Sequence, residues 1–366
     1  MANNPLLKLK DHGQSVWLDL LSRQLIRSGE LSKLIRDDGL SGVTSNPAIF
    51  EKAIGGSDAY DADIRKLLEE RKSTSELYER IAVNDIQEAA DLLRPVHDRT
   101  AGQDGYVSLE VSPLLAHDTN QTIEEARRLW TAVQRPNVMI KIPATREGLP
   151  AITQTIAEGI NINVTLLFGL PRYHAVTDAY LRGLEQRGER GDDLRNLKSV
   201  ASFFLSRIDV LIDRMLENKA PGLNGEVAIA SARIAYQMWK EIFSDERFRK
   251  LERQGARKQW LLWGSTSTKT EGYSDVKYVE ALIGPETINT MPMETLEAYR
   301  DHGQPAPRLE QEVKRAREVM AQLKDAGIEI DEVTQKLEDE GIEKFAKPFK
   351  KLLAGLEEKS RALQIA

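Results

Sequence analysis

The stretch Ile160-Asn161-Ile162-Asn163-Val164-Thr165-Leu166 alternates apolar and polar side chains along its whole length. A strand sends successive side chains to opposite faces. Ile160, Ile162, Val164 and Leu166 therefore share one face, and Asn161, Asn163 and Thr165 share the other. The same parity recurs elsewhere: Val107, Leu109 and Val111 oppose Ser108, Glu110 and Ser112. Val138, Ile140 and Ile142 oppose Met139 and Lys141, and Val16, Leu18 and Leu20 oppose Trp17 and Asp19. Strands of a parallel sheet covered on both sides normally read as continuous apolar runs. A polar face repeated from strand to strand needs a place to point.

Eight runs read as strands: 15–20, 40–45, 106–111, 137–142, 162–167, 199–204, 259–264 and 286–291. Amphipathic helical patterns separate them. Ile208, Leu211, Ile212, Met215 and Leu216 fall on one 3.6-period stripe, and Tyr173, Val176, Tyr180 and Leu184 fall on another that follows Pro171. Strands alternating with helices predict an α/β fold, a (β/α)8 TIM barrel with added C-terminal helices. The expected organisation is a single domain over 1–366, with a barrel core at 15–300 and a helical extension at 301–366. An open doubly wound sheet is the competing architecture, but its GxGxxG fingerprint after the first strand is missing. Residues 58–99 read as two helices between the second and third strands. In the extension, Leu309, Val313, Ala316, Met320 and Leu323 make a helical stripe that stops near Gly327. A last helix from about Asp331 is expected to be interrupted at Pro348.

Composition narrows the function classes. The 366 residues are 41% hydrophobic and include no cysteine, which excludes thiol nucleophiles, thiolate metal ligands and disulfides together. A net charge of −6, from 51 basic and 57 acidic residues, argues against a broadly basic nucleic-acid surface. The five histidines show neither HxH nor HExxH spacing, so no metal site is expected. The first residues hold no apolar stretch of signal-peptide length, and no run of 18 apolar residues occurs. The expectation is a cytoplasmic protein without membrane or nucleic-acid partners, as a monomer or homodimer.

If the apolar faces pack against outer helices, Asp19, Glu110 and Lys141 point into the barrel, near the strand ends where (β/α)8 active sites lie. Buried charges cost several kcal/mol each unless paired and hydrogen-bonded, as a rough figure. A structural reading is open: Lys141 and Glu110 could be an ion pair that closes the top of the barrel. The catalytic reading makes Lys141 a nucleophile, since a lysine in a dry pocket has its ammonium form disfavoured and can form a Schiff base with a carbonyl. Cleavage beside the iminium needs a base for the neighbouring hydroxyl, and iminium formation needs a proton shuttle. Asp19 and Glu110 can fill those posts, while Asn46 and Asn163 suit hydroxyl recognition. A phosphate pocket can be drawn from Ser202 and Arg207 after the sixth strand, and from Ser265, Thr266, Ser267 and Lys269 after the seventh. Arg207 could equally be a solvated helix-start residue, and the run 264–269 a turn before a capped helix.

Six motifs, in order, carry a resemblance: GVTSNPAIF (42–50), VSLEVSP (107–113), NVMIKIPAT (137–145), GININVTLLF (159–168), SFFLSRID (202–209) and WGSTSTK (263–269). With them the chain resembles the transaldolases from about Val16 to Leu296, and its tail resembles the longer branch of that family. The resemblance implies that Lys141 is the Schiff-base lysine, Asp19 the acid/base for bond cleavage, and Glu110 a carboxylate acting through a water held by Thr165. It implies that Asn46 and Asn163, with Thr44, hold the dihydroxyacetone unit, and that Ser202, Phe204 and Arg207 form the phosphate side. Lys269, beside Ser267, stands where some relatives carry arginine, which keeps the charge and loses bidentate geometry. The implied reaction moves dihydroxyacetone reversibly from sedoheptulose 7-phosphate to glyceraldehyde 3-phosphate, without a metal or organic cofactor. Short aldolases of the same superfamily are also similar, but carry glutamine where Glu110 stands. The alternatives are an aldolase that acts on fructose 6-phosphate and releases dihydroxyacetone, and a silent sugar-phosphate-binding barrel.

Overall fold

The computed structural model describes residues 4–216 and 220–365. Eight strands, all parallel to their neighbours, close into one ring. They are β1 (Gln14–Leu18), β2 (Gly42–Val43), β3 (Tyr106–Glu110), β4 (Val138–Pro143), β5 (Ile162–Leu167), β6 (Ser199–Phe204), β7 (Trp260–Gly264) and β8 (Thr287–Met291). Closure removes the open-sheet alternative.

The parity of the sequence is the parity of the barrel. Val16, Leu18, Val107, Leu109, Ile140, Ile142, Ile162 and Val164 belong to one large apolar cluster with the surrounding helices. Inside the ring, Trp17, Tyr106, Met139, Val200, Leu262 and Ile288 form a separate cluster. These residues fill the lower layer, and the next inward positions along β1, β3, β4 and β6 are Asp19, Glu110 by way of Ser108, Lys141 and Ser202. Gly42 makes room for the largest of them: a Cβ there would lie 2.3 Å from the Trp17 indole.

β2 is shorter than the run 40–45 suggests. Its neighbours still bond to β1, Ser41 N–H to Val16 O at 2.9 Å and Thr44 N–H to Leu18 O at 2.8 Å. Pro47 ends the extended run, because the Asn46 side chain caps the helix Pro47–Gly55 by accepting from Ile49 N at 3.1 Å. In β5 the register shifts between Val164 and Leu167, where Leu166 has φ 56°. The bulge turns the strand end beneath the tail.

Residues 58–99 form the helices Asp61–Glu69 and Thr74–Arg99 after one 3-10 turn. Three expectations need correcting. The last helix runs unbroken from Ile330 to Ile365 through Pro348. One lost hydrogen bond is outweighed there by burial of Phe345, Phe349 and Leu352 on either side. Leu309 is buried but precedes the helix Val313–Asp325; its N–H bonds Ile283 O at 3.1 Å. In the helix Ser206–Leu216, Met215 is exposed, so the buried stripe narrows to Ile208, Ile212 and Leu216.

The tail helix buries Val333, Leu337, Ile342, Phe345, Phe349, Leu352 and Leu356 along one face. It packs on the helices Pro47–Gly55 and Ser206–Leu216, on β5 and on the turn Pro113–Leu115. It therefore crosses the C-terminal end of the barrel. No helix among the described residues is long and apolar enough to cross a membrane.

Candidate active site

At that end a cavity of about 230 Å³ is lined by Asp19, Thr44, Asn46, Lys141, Ser202, Phe204, Arg207, Ser267 and Lys269. With Ser265, ten of the residues singled out in the sequence thus meet around one space. Glu110, Asn163 and Thr165 stand just behind its wall, on β3 and β5 beside Lys141; Glu110 pairs with Lys141 in register, and Lys141 with Asn163.

Lys141 is 3% exposed, and its Nζ donates to Ser45 O at 3.1 Å. Glu110 Oε2 lies 3.5 Å from Nζ, close enough for an ion pair, and makes no hydrogen bond within the protein. A structural ion pair at this depth is expected to satisfy its remaining lone pairs. This one does not. Burial pushes the Glu110 carboxyl up to about 7, against the pull of Lys141 in the opposite direction. Thr165 Oγ1 is likewise buried without a partner.

Asp19 follows β1 directly, and its N–H extends the ladder to Met291 O at 2.8 Å. Its Oδ1 accepts from Thr44 Oγ1 at 2.7 Å, and the Thr44 and Thr290 hydroxyls are 2.9 Å apart. Asn46 spends its carbonyl oxygen on the helix cap, which leaves its NH2 for the cavity. Asn163 is committed at both ends, donating to Ser108 Oγ at 3.0 Å and accepting from Ser202 Oγ at 2.6 Å. It fixes Ser202 from behind.

On the far side, Arg207 occupies the first turn of its helix with its guanidinium 5.7 Å from the Phe204 ring centroid. Arg207 Nη1 is buried without a partner, and burial lowers its pKa against the opposing charges of Asp19 and Glu340. A solvated helix-start arginine would show neither feature. Gly264 accommodates Phe204, since a Cβ there would sit 3.0 Å from the ring. Ser265 and Ser267 face the cavity with Lys269, whereas Thr266 turns away to donate to Thr290 O at 2.9 Å. No helix follows the run 264–269 until Lys277.

Five lining side chains were not singled out in the sequence: Leu262, Thr290, Pro292, Glu294 and Phe345. Strand parity carried to β8 finds Thr290, two residues beyond the inward Ile288. Nothing local marks Phe345, which arrives from the tail helix and places its ring centroid 6.0 Å from Lys141 Nζ.

Comparison with known proteins shows the family. Residues 16–356 match the family described as transaldolase/fructose-6-phosphate aldolase. The chain is 49% identical over 377 aligned positions to a transaldolase of Trichodesmium erythraeum, covering 99% of each. It is 49% identical to transaldolase 2 of a Nostoc species, again covering 99% of each. The identity is also 49% to a transaldolase of Thiobacillus denitrificans, over 93% of this chain and 96% of the relative.

Proposed function

The chain belongs to the transaldolase/fructose-6-phosphate aldolase family, and from that premise we propose that it is a transaldolase. It moves a dihydroxyacetone unit reversibly from sedoheptulose 7-phosphate to glyceraldehyde 3-phosphate, giving erythrose 4-phosphate and fructose 6-phosphate. The observation that carries the reading is Lys141 Nζ, almost fully buried yet opening onto a cavity shared with Asp19 and Arg207.

Lys141 attacks the ketose carbonyl, and loss of water gives an iminium. Glu110 moves the protons of that step through a water that Thr165 also holds; a carboxyl pushed to about 7 can both take and return a proton near neutrality. Asp19, held by Thr44, removes the proton from the hydroxyl beside the bond that breaks. The aldose leaves, and the remaining three carbons stay on Lys141 as an enamine. Asn46 and the Asn163–Ser202 pair hold the hydroxyls of that unit, so its nucleophilic carbon faces the incoming aldehyde. Arg207, Ser267 and Lys269 receive the phosphate, with Phe204 packed under the guanidinium. The reading needs no metal or organic cofactor, because the iminium formed on Lys141 is the electron sink.

We treat residues 15–300 and 301–366 as one catalytic domain, since Phe345 of the tail lines the cavity. We place the activity in the cytoplasm, where sugar phosphates are retained by their charge. Glu110, where short aldolases carry glutamine, favours transfer over release. Following fructose 6-phosphate consumption with and without erythrose 4-phosphate tests this: transfer requires the acceptor. Equally rapid consumption without it would establish an aldolase.

A further inference from the structure

We propose that Phe345 is a specificity-determining residue, the roof that keeps the three-carbon unit on Lys141 until an aldehyde arrives. The inference rests on the transaldolase reading and goes beyond it. Of the described residues lining the cavity, Phe345 is the one contributed by the C-terminal extension. It is 5% exposed, and its ring is the apolar surface facing Nζ at 6.0 Å.

The enamine has two fates. In transfer, its nucleophilic carbon bonds to the carbonyl carbon of an aldehyde. In release, the same carbon takes a proton from water, and a second water then adds to the resulting iminium. The C–N bond breaks, dihydroxyacetone leaves, and Lys141 regains its amine. Both fates consume the same enamine, so their ratio depends on how readily solvent reaches its carbon. A hydrocarbon ring offers a water molecule no donor or acceptor, whereas Glu110 and Thr165, inside the barrel beside Lys141, keep the one water that iminium chemistry needs.

The roof is held firmly. Arg172 Nε donates to Glu338 Oε2 at 2.9 Å, about two turns before Phe345. Gly341 lies on Leu166 at the β5 bulge, where an added Cβ would be 3.0 Å from the leucine Cδ2. Beyond Phe345, the Phe349 ring meets Tyr78 edge-on at 5.4 Å, and Tyr78 meets Phe50 in the same manner at 5.8 Å. Lys351 pairs with Glu51 at 2.6 Å and Lys359 with Asp61 at 2.7 Å. Polar and aromatic clasps on both sides thus fix one ring over the lysine.

The experiment compares dihydroxyacetone release from fructose 6-phosphate alone with transfer from the same donor to erythrose 4-phosphate, in the full-length chain. Phe345→Ala is expected to raise the release-to-transfer ratio about tenfold or more, while borohydride still traps the adduct on Lys141. Phe345→Leu, which restores apolar bulk, should return the ratio to within about twofold of the parent. Arg172→Ala, remote from the chemistry, should raise it by a smaller factor by loosening the tail, and serves if the alanine variant at 345 does not fold. An unchanged ratio in a folded Phe345→Ala protein, or in Arg172→Ala where the former fails to fold, overturns the proposal and leaves the transaldolase reading intact. A parent that neither transfers nor forms the adduct overturns that reading and the proposal with it.

Discussion

Two lysines lie buried inside the same barrel at opposite ends. Lys198, just before β6, is 1% exposed, with its Nζ 3.7 Å from the Trp260 ring centroid and 3.3 Å from Gln103 Oε1. Burial pushes its pKa down to about 7, with Asp104 pulling it back up. Lys141, on β4, is 3% exposed and borders the cavity. A search for a lysine deprotonated by burial would choose Lys198. That residue belongs to the opposite end, where Asp104 accepts from the Trp17 indole N–H at 2.8 Å and from Ser15; Lys198 does not line the cavity that Lys141 borders. At the Lys141 end Glu110, Thr165 and Arg207 each keep a buried polar atom without a protein partner. Gln14, Asn137 and Gln259 at the Lys198 end keep such atoms too, so the accessible space beside Lys141, more than unmet hydrogen bonding or a perturbed titration, marks the end at which we propose the chemistry.

The comparison can be broken most severely at the proposed nucleophile. Lys141→Ala should lower transfer by at least about 10⁴-fold with the fold preserved, since the packing of β4 rests on Val138, Ile140 and Ile142. Substantial residual transfer in a circular-dichroism-competent variant would remove Lys141 from its role. Glu110→Gln should cost about 10²-fold. In the parent, the transfer rate should rise through pH 7 as the carboxylate forms, consistent with its elevated pKa. Glutamine cannot ionise, so that limb should vanish; its persistence would assign it to another group.

Arg207→Ala should raise KM for phosphorylated donors by about 10- to 100-fold, the range for a lost charge-assisted hydrogen bond, and leave free dihydroxyacetone little affected. Equal effects on both would make Arg207 structural. The smallest effect belongs to the other lysine: Lys198→Met should leave transfer within about twofold, as a site far from the chemistry. Its signature is in stability. With a folded pKa near 7, below the usual 10.5, the native state binds fewer protons than the unfolded chain between those values. Stability therefore rises with pH across that window, and the charging cost is full below 7. Denaturant midpoints at pH 7 and pH 10 should differ in the parent and converge in the methionine variant.

Much of this was legible because a barrel strand writes its interior into alternate positions. Asp19, Glu110, Lys141 and Thr165 could be placed from parity alone, and the motif order supplied the rest of the pocket. What local pattern could not reach was tertiary. The tail helix runs through Pro348 because its packing decides, and Phe345 enters the cavity from 204 residues beyond Lys141 in the chain. Likewise, the sequence offered no sign that Asn163 spends both ends of its amide on Ser108 and Ser202 rather than facing the cavity directly.

The most direct test of the central claim is borohydride reduction in the presence of fructose 6-phosphate, followed by peptide mass spectrometry. The account predicts a reduced triose adduct on Lys141 and none on Lys198. An unmodified Lys141, or an adduct on any other lysine, would contradict it.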